Sequence, residues 1–348
     1  MIRMAKSKLF AIAAGALVAC GAGTAATPND AGPDPALDGG QGQDGGGLGA
    51  EAGADADLGD HRDGAGPAKR YDVDGPEAFT TFNAALTNAA SSFTEIVYVP
   101  SSAKPHPVVS ISPGLQQTAA AYVPYAKRLA SWGFVVLMRD DPGAFTQTPA
   151  VVADLTYVVG TWLGQQNIDA TSKLAGKVDL AHVGLAGHSR GGKASLLAAE
   201  TGLKGKVTGW FGLDPIDASS GSGDPQARGA VGAIGIPTAY LGATVSGACS
   251  PAADNYEVLY AASTTPSVEV KAIGAGHTEL EDQASCVACG FCNPAGTADP
   301  KTVLAFAVRY TTAFFARELL GDTTVGAAFE GAGASLDTAA GLVTITSK

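Results

Sequence analysis

The chain has 348 residues, with 33 acidic side chains against 22 basic ones, a net charge of −11 and 46 glycines. No basic stripe offers a nucleic-acid surface, and no apolar run after the first twenty residues is long enough to span a bilayer. Much of the negative charge lies in one segment near the N-terminus, so the acidity excludes little about the substrate.

Arg3, Lys6 and Lys8 precede the short apolar run "LFAIAAGALVA" at 9–19. This is the pattern of an export signal, expected over 1–19. The run ends "LVAC", which resembles the cleavage box of bacterial lipoproteins. The resemblance implies cleavage before Cys20 and a lipid on its sulfur; ordinary signal cleavage is the alternative. Gly21, in place of an Asp after the cysteine, points to the outer membrane. Residues 21–70 carry nine acids, three bases and only Leu37, Leu48 and Leu58 as large apolar side chains. Such a segment buries too little surface to offset its chain entropy, so 20–70 is expected to be a disordered Gly/Asp-rich tether. That leaves 71–348 for a folded domain.

From there strand-like and helix-like segments alternate. "EIVYVP" (95–100) and "PVVSIS" (107–112) read as strands. "AYVPYAKRLASWG" (121–133) has helical period and stops at Gly133. "FVVLMRD" (134–140) reads as a buried strand, and 148–167 as a helix with Thr148 as N-cap and Pro149 in its first turn. "AHVGLAG" (181–187) is a strand followed at once by "HSRGG", and 193–202 is a helix. Strands over 206–214, 237–244 and 267–274 follow, then a long amphipathic helix over 302–321. This order predicts an α/β fold: a mostly parallel sheet with helices on both faces.

"GHSRG" at 187–191 matches G-x-S-x-G. In a glycine-rich chain the pattern alone is weak evidence, but here it sits between a strand and a helix, where a nucleophile elbow belongs. Gly187 and Gly191 give the turn room, so Ser189 is the candidate nucleophile. A serine hydroxyl needs a base. Of five histidines, His61 lies in the tether, His106 and His182 flank strand starts at the wrong sheet edge, and His188 cannot readily fold back onto Ser189. His277, in a loop after a strand, is the remaining base. The acid that orients it belongs at a strand end between the two. Asp214 closes "WFGLD" and is favoured; Asp254 is the alternative, and Asp217, Asp224 and Glu269 fit less well. An oxyanion hole needs two backbone N–H groups, expected from Arg190 and from Leu115 in "SPGLQQ". The loop 215–235 is placed to line the substrate entrance.

Cys249, Cys286, Cys289 and Cys292 remain after Cys20. In an exported chain disulfides are expected, with Cys249 reaching one of the other three. Metal ligation and unpaired thiols are the alternatives.

"GHSRGGKAS", "FGLDPID", "ACSPAADNYEVLYAAS" and "GAGHTELED" resemble segments of plant-type chlorophyllases, and "SPG" with "RLASWGFVVLMRDD" resembles bacterial cutinases and PET hydrolases. The likeness covers about 95–320. It implies an α/β-hydrolase fold and a serine esterase in which Ser189, Asp214 and His277 form the triad and Leu115 supplies an oxyanion donor. Ser112-Pro113-Gly114 stands where the usual His-Gly would precede that loop, and Arg190 where cutinases often have Met. No cofactor or metal is needed for this chemistry. The expected partner is a small-molecule or polymeric ester, with a membrane contact through the N-terminal lipid. The rival functions are acyl transfer at the same site and a non-catalytic ligand-binding lipoprotein.

Overall fold

The computed structural model describes residues 71–140, 146–219, 224–282, 289–325, 329 and 331–348, all within the unit Gly59–Lys348. The expected signal, Cys20, the tether with His61, and Cys286 lie outside the described residues.

The most apolar runs become strands buried on both faces. These are β3 (His106–Ser112), β4 (Val135–Asp140), β5 (Val178–His188), β6 (Gly209–Leu213), β7 (Thr238–Ala243) and β8 (Ser267–Ala272). They pair in parallel in the order β4-β3-β5-β6-β7-β8. Antiparallel strands extend both sides: β1 (Phe79–Thr87) and β2 (Ser92–Pro100) beyond β4, and β9 (Val343–Ser347) beyond β8. Among the described residues the sheet is thus mixed, nine-stranded and mostly parallel. Parallel neighbours need crossovers, and helices supply them.

On one face α1 (Val123–Ser131) and α7 (Pro300–Leu320) pack Tyr125, Leu129, Phe314 and Phe315 against Phe211 and Ile111. On the other, α2 (Thr148–Tyr157), α3 (Leu163–Ile168) and α4 (Arg190–Glu200) cover Val108, Leu185 and Trp210. Short α5 (Arg228–Val231) and α6 (Tyr256–Ala262) complete that layer, and α8 (Ala332–Ala339) precedes β9. The fold class read from the sequence is the one observed.

Several local expectations need correction. Gln147, not Thr148, caps α2, and no side chain bonds the cap; Thr148 is already helical, with Pro149 behind it. The helix read as one piece over 148–167 contains a π-helical turn at Val158–Trp162. The helix expected to be amphipathic over 302–321 is buried on most sides from Phe306 to Ala316, so it is a core helix with polar ends. The edge strands β1 and β9 escaped the sequence reading because their burial is partial and Thr or Asn interrupts their alternation.

One buried cluster lies at the β2/β4 edge. Arg139 binds Asp154 through Nη2 at 2.7 Å and Nε at 3.1 Å, and both side chains are buried. Glu95, paired across the strands with Arg139, is 1% exposed, and its Oε2 has no hydrogen-bond partner among the described residues. Burial pushes the Glu95 carboxyl up to about 8; attraction to Arg139 opposes this and repulsion from Asp154 and Asp140 adds to it. Between its ordinary value of 4.5 and about 8 the unfolded chain has released this proton and the folded chain keeps it. Stability therefore falls as pH rises through that window, by up to a few kcal/mol. Glu95→Gln should flatten the decline and raise the melting temperature at the alkaline end. Thermal denaturation of both proteins across this range tests it; parallel curves would refute it.

Candidate active site

The site forms at the carboxyl edge of the parallel strands, the usual ligand-binding edge of open α/β sheets. β5 runs into α4 with only Ser189 between them, and Ser189 adopts φ 53°, ψ −123°. An L-residue is rarely left-handed, so the turn must be held by its surroundings. The glycines make this possible. A β-carbon on Gly191 would lie 2.1 Å from the Ser112 carbonyl oxygen, and one on Gly187 would lie 2.4 Å from Gly191. Among the described residues, the other two non-glycine residues with positive φ are Gln116 at 63° and Asp214 at 38°. All three stand at this one sheet edge, as strain concentrated at functional sites does.

Main-chain bonds dock each turn on the next strand. Ser189 N–H donates to the Leu213 carbonyl at 3.0 Å, Asp214 N–H to Leu241 at 2.7 Å, and Thr244 N–H to Ala272 at 3.2 Å. Asp214 is fully buried; its Oδ1 accepts the Ala243 N–H at 3.2 Å and its Oδ2 lies 2.5 Å from His277 Nδ1. His277 opens a short 3₁₀ turn, His277–Leu280, after β8. A carboxylate is acceptor-only, so the Nδ1 position carries the proton and Nε2 is the basic nitrogen. Asp254 is elsewhere, paired with Arg228 at 2.9 Å. Asp217 accepts the Ala227 and Arg228 N–H groups, and Glu269 lies beside Lys271. His106 opens β3 and His182 lies within β5, away from the Ser189 end, bonded to the Gly133 carbonyl and Asp179.

Ser189, His277, Leu115 and Arg190 line one pocket of about 260 Å³. Arg190 is the first residue of α4, and its guanidinium also holds the loop opposite, donating to the Thr146 and Gly114 carbonyls. The loop after Asp214 forms one wall with Ile216, Ala218 and Asp224; residues 220–223 lie outside the described residues. Lys193, buried in α4, fixes that wall: its ammonium donates to the Asp217 and Ala218 carbonyls at 3.2 and 3.1 Å and to Asp224 at 3.2 Å. Cys249 and Cys292 form a disulfide in the facing wall, and Cys289 is disulfide-bonded too. Among the described residues no group of His, Cys, Asp or Glu is arranged to hold a metal ion. None of their helices is long and apolar enough to cross a membrane.

Sequence reasoning missed Tyr122 and Glu281, which surround His188; Glu281 and His188 themselves belong to the pocket lining. It also missed the anchoring roles of Lys193 and Arg190. The only signal for the last two was their place in "SRGGK", inside the first turn of a helix whose neighbours are all buried.

A family model described as PET hydrolase-like matches residues 63–221. That span contains Leu115, Ser189, Arg190 and Asp214 and ends before His277. No curated protein matches the chain. With the fold, the match makes this chain a carboxylic-ester hydrolase of the α/β-hydrolase type.

The Cys249–Cys292 bond closes a loop of 43 residues that includes β8 and His277. Chain-entropy reasoning gives such a cross-link about 2–4 kcal/mol. The Cys249→Ser, Cys292→Ser double variant should lose stability of that order and show a raised KM, because the wall is no longer tied down. Chemical denaturation and ester kinetics measure both; an unchanged midpoint and KM would contradict the assignment.

Proposed function

We propose that this ester hydrolase works through Ser189, His277 and Asp214 by an acyl-enzyme route. The observation that carries the reading is His277, bonded to the buried Asp214, in the same pocket as a serine held at φ 53°. His277 Nε2 takes the proton as Ser189 Oγ attacks the ester carbonyl carbon. The carbonyl oxygen gathers negative charge, and the N–H groups of Leu115 and Arg190 stabilise it. The N-terminus of α4 adds its dipole there. Collapse breaks the bond to the leaving oxygen, which receives the proton from Nε2 and departs as the alcohol. Water then gives a proton to Nε2 and attacks the acyl-serine; the proton returns to Oγ, and the acid is released. Asp214 keeps Nδ1–H in place and offsets the positive charge on the imidazole.

The substrate is a small or polymeric carboxylic ester, and water is the acceptor at the second step. The lipoprotein-like box at "LVAC" supports a lipid on Cys20, the 21–70 segment a tether, and Gly21 an outer-membrane address. On this reading the enzyme meets its ester outside the cytoplasm.

Hydrolysis of p-nitrophenyl esters of rising acyl length by the full chain tests the function. Ser189→Ala should abolish turnover. Asp214→Asn should lower kcat about 10³–10⁴-fold with little change in KM, since it disturbs the imidazole tautomer without removing substrate contacts. Activity that survives Ser189→Ala would refute the reading.

A further inference from the structure

A second histidine–carboxylate pair lies beside His277, and both of its side chains line the same pocket. His188, the residue before Ser189, is 1% exposed. Its Nδ1 is 2.8 Å from Glu281 Oε1 and 2.9 Å from Tyr122 Oη, and its Nε2 is 3.0 Å from the His277 carbonyl oxygen. The His188 and His277 rings pack with centroids 4.6 Å apart. Tyr122 Oη also accepts the Gly114 N–H at 3.2 Å. Glu281 is 6% exposed, and the turn that bears it is pinned to α1 and its lead-in: Tyr125 Oη donates to the Leu280 carbonyl at 2.6 Å, and Asp282 N–H to Ala121 at 2.8 Å. A β-carbon on Gly114 would lie 3.0 Å from His188 Nδ1. The oxyanion loop, the serine elbow and the His277 turn therefore all meet at one imidazole.

The partners fix its protonation. A carbonyl can only accept, so Nε2 carries a proton. Nδ1 also lies 2.8 Å from a carboxylate oxygen, and a proton there makes the ring an imidazolium in a buried ion pair with Glu281. Burial works against this charge; Glu281, Asp214 and the His277 carbonyl outweigh it, and His188 is held above the usual histidine range. The ionisable groups around it are Glu281, Tyr122, His277 and Asp214. Tyr125 stands beside Glu281, and Arg190 is next but one in the chain after His188, with its guanidinium on the Gly114 carbonyl.

We propose that Glu281 and His188 form a positioning pair for the esterase reaction, in which protonated His188, anchored by Glu281, sets the place of the His277 main chain and the Gly114 turn relative to Ser189. The inference rests on the esterase reading above. Neither side chain exchanges protons with the ester. Both act through the groups that do, so losing the pair costs turnover rather than binding. Because the anchor is an ion pair, its effect ends when His188 loses its proton.

The test is the pH dependence of kcat and KM on p-nitrophenyl butyrate for the full chain and for Glu281→Gln, His188→Gln and the double variant. Gln at 188 keeps a donor for the His277 carbonyl but does not titrate. Glu281→Gln should lower kcat about tenfold at neutral pH, with KM within about twofold. It should also move the alkaline loss of activity to lower pH. Glu281→Asp, which keeps the charge, should recover part of kcat and serves if the Gln variant fails to fold. The double variant should be no slower than His188→Gln alone. Additive losses, or a Glu281→Gln loss equal at every pH, would overturn the proposal while leaving the esterase reading intact. A full chain that neither hydrolyses the ester nor is labelled at Ser189 by a fluorophosphonate would overturn both.

Discussion

Where α4 leaves Ser189, its first turn stands so close to the end of β3 that only a bare backbone fits. A side chain on Gly191 would collide with the Ser112 carbonyl, and one on Gly192 would come within 2.8 Å of Pro215. This contact joins three segments at once: the serine turn, the loop that opens at Pro113 and the loop that opens at Pro215. It also holds Ser189 in a backbone conformation that an isolated L-residue avoids. The loop that carries Leu115 and the loop that follows Asp214 are placed by the same approach of backbones, and the polar side chains of the pocket are arranged on that frame. Side-chain bonds such as Arg190 to Gly114 and Lys193 to Ala218 then secure loops that the backbone contact has already brought near.

The electrostatics follow from burial at that edge. Asp214 is buried and needs partners, which it finds in the Ala243 N–H and His277. Glu281 is buried as well, with Oε1 2.8 Å from His188 Nδ1. The two imidazoles lie with centroids 4.6 Å apart, tilted by 34°, each beside its own carboxylate. Another buried acid, Glu95, has neighbours of both signs and an oxygen without a hydrogen-bond partner among the described residues, and burial dominates its behaviour. Equally buried carboxylates therefore differ in consequence according to what faces them.

Much of this frame was legible in the sequence. The central strands announce themselves because they are buried on both faces and so read as unbroken apolar runs, "FVVLMRD" being the clearest. The elbow was legible because a strand pattern and a helix pattern abut at Ser189 with a glycine on either side. Asp214 was one of several strand-end acids; its distinguishing feature is the docking of its amide on Leu241, a register that emerges only once β6 and β7 pair. His277 stood out by elimination. Tyr122 and Glu281 gave no signal, since one is a tyrosine leading into a helix and the other an acid in an acidic loop, and their meeting with His188 depends on long-range folding. The edge strands β1 and β9 hid because a half-buried edge imposes a weaker pattern than a core strand.

The staircase of main-chain bonds, with Ser189 on Leu213, Asp214 on Leu241 and Thr244 on Ala272, has a consequence for how such a protein changes over generations. It works as a ruler whose divisions are the spacing of neighbouring strands, which any strand sequence reproduces. The pocket walls belong to separate loops with separate fastenings, a buried lysine on one side and a cystine on the other. Mutation can redraw a wall, and with it the ester admitted, without shifting the ruler's marks. A lineage built this way is free to wander among substrates while its reaction stays the same.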